Sequence, residues 1–245
     1  MASDGRGRGG GKGGGGVGRG GGGGKAVRAA RRAEVVLPPL RPYDGGAAWE
    51  REGDYDGLEF ADTDFGGQDA RGARFLDCAL RRCALDEAVL SRARLIDSVL
   101  TEVRGVGTDL SEARLREVEV RDARLGGVQL HGAELERVVF RGGKIDYLNL
   151  RQARLTDVVF EGCVLVEPDF AGARLERVAF VDATLTRADF SGAAMTDVDL
   201  RAAAGLDIAR GVDGLAGAAI SPGQLLDLAP VFAVRMGVRV VAPGD

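Results

Sequence analysis

Histidine, cysteine and tryptophan are scarce in this chain of 245 residues, which holds one His, three Cys and one Trp. The single histidine, His131, is read as a solvated surface residue. The sequence has no nucleophile elbow, no phosphate-binding glycine loop and no metal-ligand spacing. No catalytic residue, cofactor or metal is therefore expected, and the chain is read as non-enzymatic. No apolar run is long enough to cross a membrane. The N-terminus is basic but lacks the apolar stretch of a secretory signal, so a cytoplasmic location is expected.

Glycine is abundant and unevenly placed: residues 1–24 hold 15 of the 39. Such a segment buries too little apolar area to order itself. Charge is divided in the same way. Of 33 Lys/Arg and 37 Asp/Glu, residues 1–33 hold eight basic and one acidic, a net of +7; residues 34–245 keep 25 and 36, a net of −11. The chain is thus an acidic body with a basic tail. Residues 1–33 are expected to form a disordered tail. It lacks the interleaved aromatics of a base-stacking arginine-glycine segment, so it supports only weak nucleic-acid contact. Residues 34–57, with Pro38, Pro39, Pro42, Trp49 and Tyr55, are expected to run extended and cover the open edge of the repeat region that begins at residue 58.

From residue 58 to residue 200 the chain repeats every five residues. Of the 29 positions from 60 to 200 that are multiples of five, 27 are Leu, Phe, Ile, Val or Met; Ala70 and Gly105 are the exceptions. Two residues before the centres sits a small residue, as at Ala73, Cys78, Cys83, Val118, Ala133, Val158 and Cys163, with Leu58, Gln68, Leu148 and Pro168 as the exceptions. The cysteines share this phase and read as small core residues, not disulfide or metal ligands. Five is neither the strand period of two nor the helix period of 3.6. A unit with inward residues at its first and third positions is a short extended segment, and its last two residues must turn a corner. The corners carry Asp62, Asp77, Asp97, Asp122, Asp157 and Asp197, with Gly72, Gly132, Gly142, Gly162, Gly172 and Gly192. Four corners close a square, so one coil takes 20 residues, and coils stack at strand spacing, ~4.8 Å. About seven coils are expected, roughly 34 Å in length.

Thr63-Asp64-Phe65-Gly66-Gly67, Thr108-Asp109-Leu110-Ser111-Glu112 and Ala188-Asp189-Phe190-Ser191-Gly192 each read small, Asp, large apolar, then two variable residues. In this the chain resembles the pentapeptide-repeat family over residues 58–204. The resemblance implies an all-β solenoid, a right-handed quadrilateral β-helix. Residues 205–245 are expected to hold a degenerate last coil, a helix and a terminal strand. Ser221 reads as the N-cap, Pro222 as the first helical residue and Gln224 as the reciprocal cap partner. Leu225, Leu228, Phe232 and Met236 fall at helical spacing, Pro230 is expected to kink or split the helix, and Gly237 to end it. Val238, Val240 and Val241 read as the strand. The helix caps the last coil, and Leu225, Leu228 and Phe232 are the candidate homodimer contact.

Residues 20 apart share one face. Arg74, Arg94, Arg114, Arg154 and Arg174 stack on one, with Asp77, Asp97, Glu117 and Asp157 at the neighbouring corner. Ala79, Val99, Val139, Val159 and Ala179 form an outward apolar stripe, a pattern that marks contact surfaces or plain strand preference. Asp69, Asp109, Asp169 and Asp189 form an acidic column, with Gln129 and Asn149 between them. Within the family the chain is most similar to the mycobacterial-type quinolone-resistance members, on its lack of loop insertions and its capped C-terminal helix. That similarity implies a dimeric rod that mimics DNA, binds a type II topoisomerase (DNA gyrase) and modulates it, with the acidic column in place of phosphates. The second reading is a generic interaction scaffold with another protein partner. Fold class does not decide between them.

Overall fold

The computed structural model describes residues 26–45 and 48–241. Residues 1–25, most of the glycine-rich tail, lie outside them. The body is a parallel β-solenoid in which each residue pairs with the one 20 positions on, as in Leu115, Leu135, Leu155 and Leu175. Centres and the positions two residues earlier point inward and form one continuous core from Trp49 to Leu228. Every fifth residue from 52 to 197, two after each centre, sits in the left-handed region, and twenty of these are not glycine. That state turns the chain at each corner and returns the next unit to the core. At one corner a hydrogen bond closes the turn, as from Ala113 N–H to Leu110 carbonyl at 3.1 Å and from Ala153 to Leu150 at 3.1 Å. The next corner along the chain stays within continuous eight-residue strands, Arg94–Thr101, Arg114–Arg121, Glu134–Arg141, Arg154–Glu161 and Arg174–Val181.

Inner side chains stack coil on coil. Phe140, Phe160 and Phe180 form one column with ring centroids 4.9 and 5.0 Å apart and planes tilted by 8°. Phe170 and Phe190 form a second at 5.0 Å. The polar small residues at the inner positions are satisfied from the preceding coil: Thr108 donates to Leu85 carbonyl at 2.7 Å, and the Cys163 thiol lies 3.3 Å from Phe140 carbonyl. All three cysteines are free and buried, and burial pushes the thiols of Cys78 and Cys163 up to about 11.

The solenoid has about nine turns instead of seven. The extra length comes from its two ends. Asp54–Asp56 already pairs with Arg74–Leu76, and Ala218–Ala219 pairs with Val198–Asp199. Trp49 closes the N-terminal opening, stacked on Phe65 at 3.7 Å. Gln68 breaks the small-residue rule because its side-chain oxygen accepts the Trp49 N–H at 2.8 Å. At the other end Gly205–Arg210 pairs irregularly with Thr184–Asp189: Gly205 and Leu206 are offset by one residue, so Leu206 stacks on Leu185, while Ile208 returns to register with Ala188. This irregularity is what interrupts the sequence repeat.

The helix α1 (Pro222–Arg235) starts at the expected capping box: Gln224 N–H donates to Ser221 Oγ at 3.2 Å and Ser221 N–H to Gln224 Oε1 at 2.8 Å. It passes through Pro230 without splitting. The carbonyl that proline deprives of its helical donor belongs to Leu226, a residue 75% exposed, so the loss falls on the solvent side of the helix. Gly237, with φ of 73°, ends the helix, and Val238 N–H reaches Ala233 carbonyl at 2.8 Å, as a Schellman turn requires. Val238, Val240 and Val241 form no strand and are exposed.

The tail boundary expected at residue 33 falls inside an ordered segment. Residues 26–40 run extended along the outside of the rod, from the coil of Asp197 to Arg41–Pro42, which pairs with Leu58–Glu59. We call this segment the strap.

Leu150→Asp is expected to unfold the rod, since Leu150 is fully buried and a charge there has no partner, a loss of ~4 kcal/mol or more. Gln129→Asp, on the outer column, is expected to stay within ~0.5 kcal/mol. Gly143→Ala is expected to destabilise as well, because φ is 74° and a Cβ there meets Ala123 carbonyl oxygen at 2.3 Å. Thermal melts of the three variants check the register; equal melting for Leu150→Asp and Gln129→Asp overturns it.

Candidate interaction surfaces

The parallel register puts outer side chains in columns with the spacing of the coils, so neighbours in a column interact across 20 residues. Much of the rod's charge is used this way. Arg74–Asp54, Arg82–Asp62, Arg114–Glu134, Arg137–Glu117, Arg141–Glu161, Arg154–Glu134, Arg177–Asp157 and Arg187–Glu167 are all ion pairs at that separation. Within the arginine column Arg74 pairs with Asp54, and Arg114 and Arg154 share Glu134, instead of pairing with the adjacent corner carboxylates. Of those corner carboxylates, Glu117 and Asp157 pair along their own column with Arg137 and Arg177. Exposed pairs of this kind contribute little singly.

The four aspartates of the acidic column do share one column, in the order Asp69, Val89, Asp109, Gln129, Asn149, Asp169, Asp189. Their carboxylates are engaged locally. Asp109, Asp169 and Asp189 accept the backbone N–H two residues on, from Ser111, Ala171 and Ser191, at 2.8–2.9 Å. Asp69 also holds Arg71 and Arg51, at 2.6 and 2.8 Å, and Arg71 above all keeps its carboxyl well below the usual range. Asp169 holds Arg151 at 3.0 Å and Asp189 holds Arg210 at 2.9 Å. Burial works against ionisation of Asp189, and the bonds from Ser191 with the Arg210 charge outweigh it. Asp109 is the one of the four with no ion pair among the described residues. Asp residues in this slot are first of all turn formers, so the column carries less open charge than its sequence suggests.

The apolar stripe is a contact surface, and its occupant is the strap. Ala33 packs on Val139 and Val159, with Ala30, Val35, Ala179 and Val181 around them. Beside the stripe, three strap arginines meet three carboxylates: Arg28 on Asp197 at 2.6 Å, Arg31 on Asp157 at 2.7 Å and Arg32 on Glu161 at 2.7 Å. Backbone N–H groups of Arg28 and Arg31 donate to the same aspartates at 3.2 and 3.0 Å. Three extended residues span ~10 Å, as do two coils, so arginines three apart meet every second rung of the corner column. Asp157 is the centre of this contact. Its side chain is 0% exposed and accepts from Arg31 N, Nε and Nη2 and from Arg177 Nε and Nη2. Burial alone raises its pKa; the two arginines reverse that and hold the carboxyl far below its usual range. The sequence carries this signal as Arg28, Arg31 and Arg32 facing an acidic rung two coils apart, but it is invisible until the strap's path is known.

The helix contact differs from expectation. Gln224 Nε2 donates to Leu200 carbonyl at 2.7 Å and Arg235 pairs with Asp213 at 3.1 Å, which fixes the helix's rotation. Leu228 is consequently buried against the last coil and Phe232 packs on the same core, while Leu225 is half exposed. Leu228 is a cap residue and is withdrawn as a dimer contact, whereas Phe232 is only partly covered by the coil. The outer surface of α1 carries Leu225, Leu226, Val234 and, at its C-cap, Met236, the last three more than 70% exposed.

A family model described as a pentapeptide repeat region matches residues 73–150, and one described as pentapeptide repeats in nine copies matches residues 160–204. The chain belongs to the pentapeptide-repeat family. No curated protein matches this pentapeptide-repeat chain. Among solved structures it is similar to QnrB1, a plasmid-mediated fluoroquinolone resistance protein, at 18% identity and a TM-score of 0.33 over 82% of this chain and 96% of that one. It is also similar to HetL, a pentapeptide repeat protein involved in heterocyst differentiation regulation from the cyanobacterium Nostoc, at 21% identity and a TM-score of 0.32 over 73% and 93%. A third, Rfr23 from the cyanobacterium Cyanothece, has 20% identity and a TM-score of 0.31 over 46% and 87%. At these values the likeness says nothing of function. No helix among the described residues is long and apolar enough to cross a membrane.

Asp157→Asn is expected to loosen the strap and raise tryptic cleavage after Arg28, Arg31 and Arg32 about tenfold, equivalent to ~1.4 kcal/mol of docking free energy. Acidification does the same. Asp157, Asp197 and Glu161 are all held below their ordinary values of 3.8 and 4.5 by the arginines. Their contribution is complete above those values and is lost as the pH falls below them. Strap cleavage, read by mass, is therefore flat from pH 5 to 8. Stability measured across the same range, extended downward with an acid-tolerant protease, drops below about pH 4.

Proposed function

We propose that this pentapeptide-repeat protein is a non-catalytic interaction scaffold, a rod that pairs with a second copy through α1 and offers its flanks to a protein partner. The observation that carries this is the outer surface of α1. A helix that has already buried Leu228 and packed Phe232 in part against its own coil still exposes Leu225, Leu226, Val234 and Met236. Contiguous apolar exposure of this kind marks an association surface. The helix stands at the end of the rod, where a two-fold contact is self-complementary and closes. Light scattering at tens of micromolar is expected to give a mass near twice 25.6 kDa. Leu226→Glu with Val234→Glu is expected to return the monomer without lowering the melting temperature, because both side chains face away from the coil. A wild-type monomer overturns the dimer.

A narrower reading gives the scaffold a partner: DNA gyrase, bound by a DNA-mimicking rod, with quinolone resistance as the consequence. The net charge of −11 over residues 34–245 and the regular column of carboxylates support it, through steering toward a basic groove. The arginines on Asp69, Asp169 and Asp189 weaken it and leave Asp109 as the carboxylate to test first. Under this reading the chain inhibits supercoiling at low salt, and Asp109→Asn reduces that inhibition while the fold is kept. No effect of the wild-type chain on supercoiling or on drug-stabilised cleavage removes gyrase and leaves the scaffold.

A further inference from the structure

The strap is bound in an uneven way. The surface under it is thoroughly covered: Asp157 is 0% exposed, and Val139 and Val159 are 2% exposed. The strap itself buries only Ala33 among residues 26–40, and the side chains of Arg28, Arg31 and Arg32 stay 45–65% exposed. It forms no strand pairing until Arg41, so no backbone ladder fastens it over the stripe. What holds it is three ion pairs whose guanidinium groups face solvent, two backbone N–H bonds and a small apolar contact centred on Ala33. Contacts of that kind are weak singly and screened by salt. The surface, in contrast, keeps its own support when uncovered. Asp157 retains Arg177, Glu161 retains Arg141, and the valines belong to continuous strands.

We infer that this flank is a binding groove for an extended, arginine-bearing peptide segment, and that residues 28–33 are its exchangeable resident. The occupant we assign is a basic segment of a partner protein with arginines at the first, fourth and fifth positions and a small apolar residue at the sixth. The seated strap defines that chemistry: Arg28 on Asp197, Arg31 on Asp157, Arg32 on Glu161 and Ala33 between Val139 and Val159. The spacing comes from the rod, because every second coil offers a carboxylate at the same corner while Arg177 occupies the rung between. An arginine, whose fork can engage one carboxylate through two nitrogens, suits this slot better than lysine. The groove gives the scaffold's flank a ligand class, and its test is separate from the α1 dimer, since either can fail with the other intact.

The probe is a fluorescent peptide with the sequence of residues 26–36, measured by anisotropy against the full chain. In the wild type the strap competes in cis. In a full chain carrying Arg28→Glu, Arg31→Glu and Arg32→Glu the groove is vacated by charge repulsion. The strap variant is expected to bind the peptide at least about tenfold more tightly than the wild type. That binding weakens as NaCl is raised from 50 to 500 mM, and adding Asp157→Asn weakens it about tenfold again. A peptide with the three arginines changed to glutamate is expected not to bind. Equal affinity for wild type and strap variant, indifference to Asp157→Asn, or no binding by a strap variant that melts like the wild type overturns the inference. A second readout serves if the triple change unfolds the chain. A nitroxide on Ala29→Cys in the otherwise wild-type chain is expected to be immobilised and then released by excess peptide. A label that stays immobile at millimolar peptide overturns exchange.

Discussion

The structure depends on one backbone state recurring at a fixed interval. From residue 52 to residue 197 every fifth residue is left-handed, and the non-glycine members, among them Glu52, Arg92, Tyr147 and Gln152, have φ between 48° and 60°. Each such residue costs ~1–2 kcal/mol relative to the right-handed region. The state persists because each unit that turns this way buries one large apolar side chain, which contributes ~1.5–3 kcal/mol, and pairs its backbone with two neighbouring coils. Strain and burial are therefore coupled unit by unit. The unit centred on Gly105, which lacks a large centre, has glycine at its corner, Gly107, where the left-handed state carries no Cβ cost, and Gly107 N–H still bonds Gly126 carbonyl in the next coil at 2.8 Å.

Once the corners are fixed, the chemistry of the surface is fixed with them. Side chains 20 residues apart are neighbours whether or not the sequence favours it. Like charges directly above one another repel, and the arginine column from 74 to 174 relieves this by placing Glu134 where it can bind both Arg114 and Arg154. Acidic residues in the slot before a centre serve the turn before they serve any partner, as Asp109, Asp169 and Asp189 show by capturing the N–H two residues on. Charge counted along the sequence overstates the charge the rod presents.

The elements legible in the sequence are those whose partners sit at a fixed offset. The centres, the small inner residues, the left-handed corners and the reciprocal pair Ser221 and Gln224 are all of that kind, and the acidic column lies where a 20-residue coil puts it. The elements that were not legible depend on contacts between segments with no common period. The strap meets the rod across more than 120 residues, at Asp157 and Asp197. The rotation of α1 hangs on Gln224 reaching Leu200, and this turns Leu228 and Phe232 inward. Pro230 reads as a break because its cost is local, yet the carbonyl it orphans lies on the solvent side of the helix, at the exposed Leu226. Val238, Val240 and Val241 have strand propensity but pair with no strand, and propensity without a partner does not make a strand.

These limits also locate recognition. A periodic solenoid has little freedom to build a specific concave site, since a change in one coil's inner residue disturbs both neighbours. Its outer columns are free to vary but tend to neutralise themselves, because the closest available counter-charge is always the next coil. Specific contacts are then left to the places where periodicity stops or is overlaid. Here those are the end of the rod, where α1 has one face on the last coil and one face in water, and the flank, where a non-repeating strap reads two rungs per three residues. In both, an aperiodic segment supplies the asymmetry that the repeat lacks, and in both the contact is side-chain based and leaves the backbone ladder of the rod untouched. Association at either place can therefore change without cost to the fold.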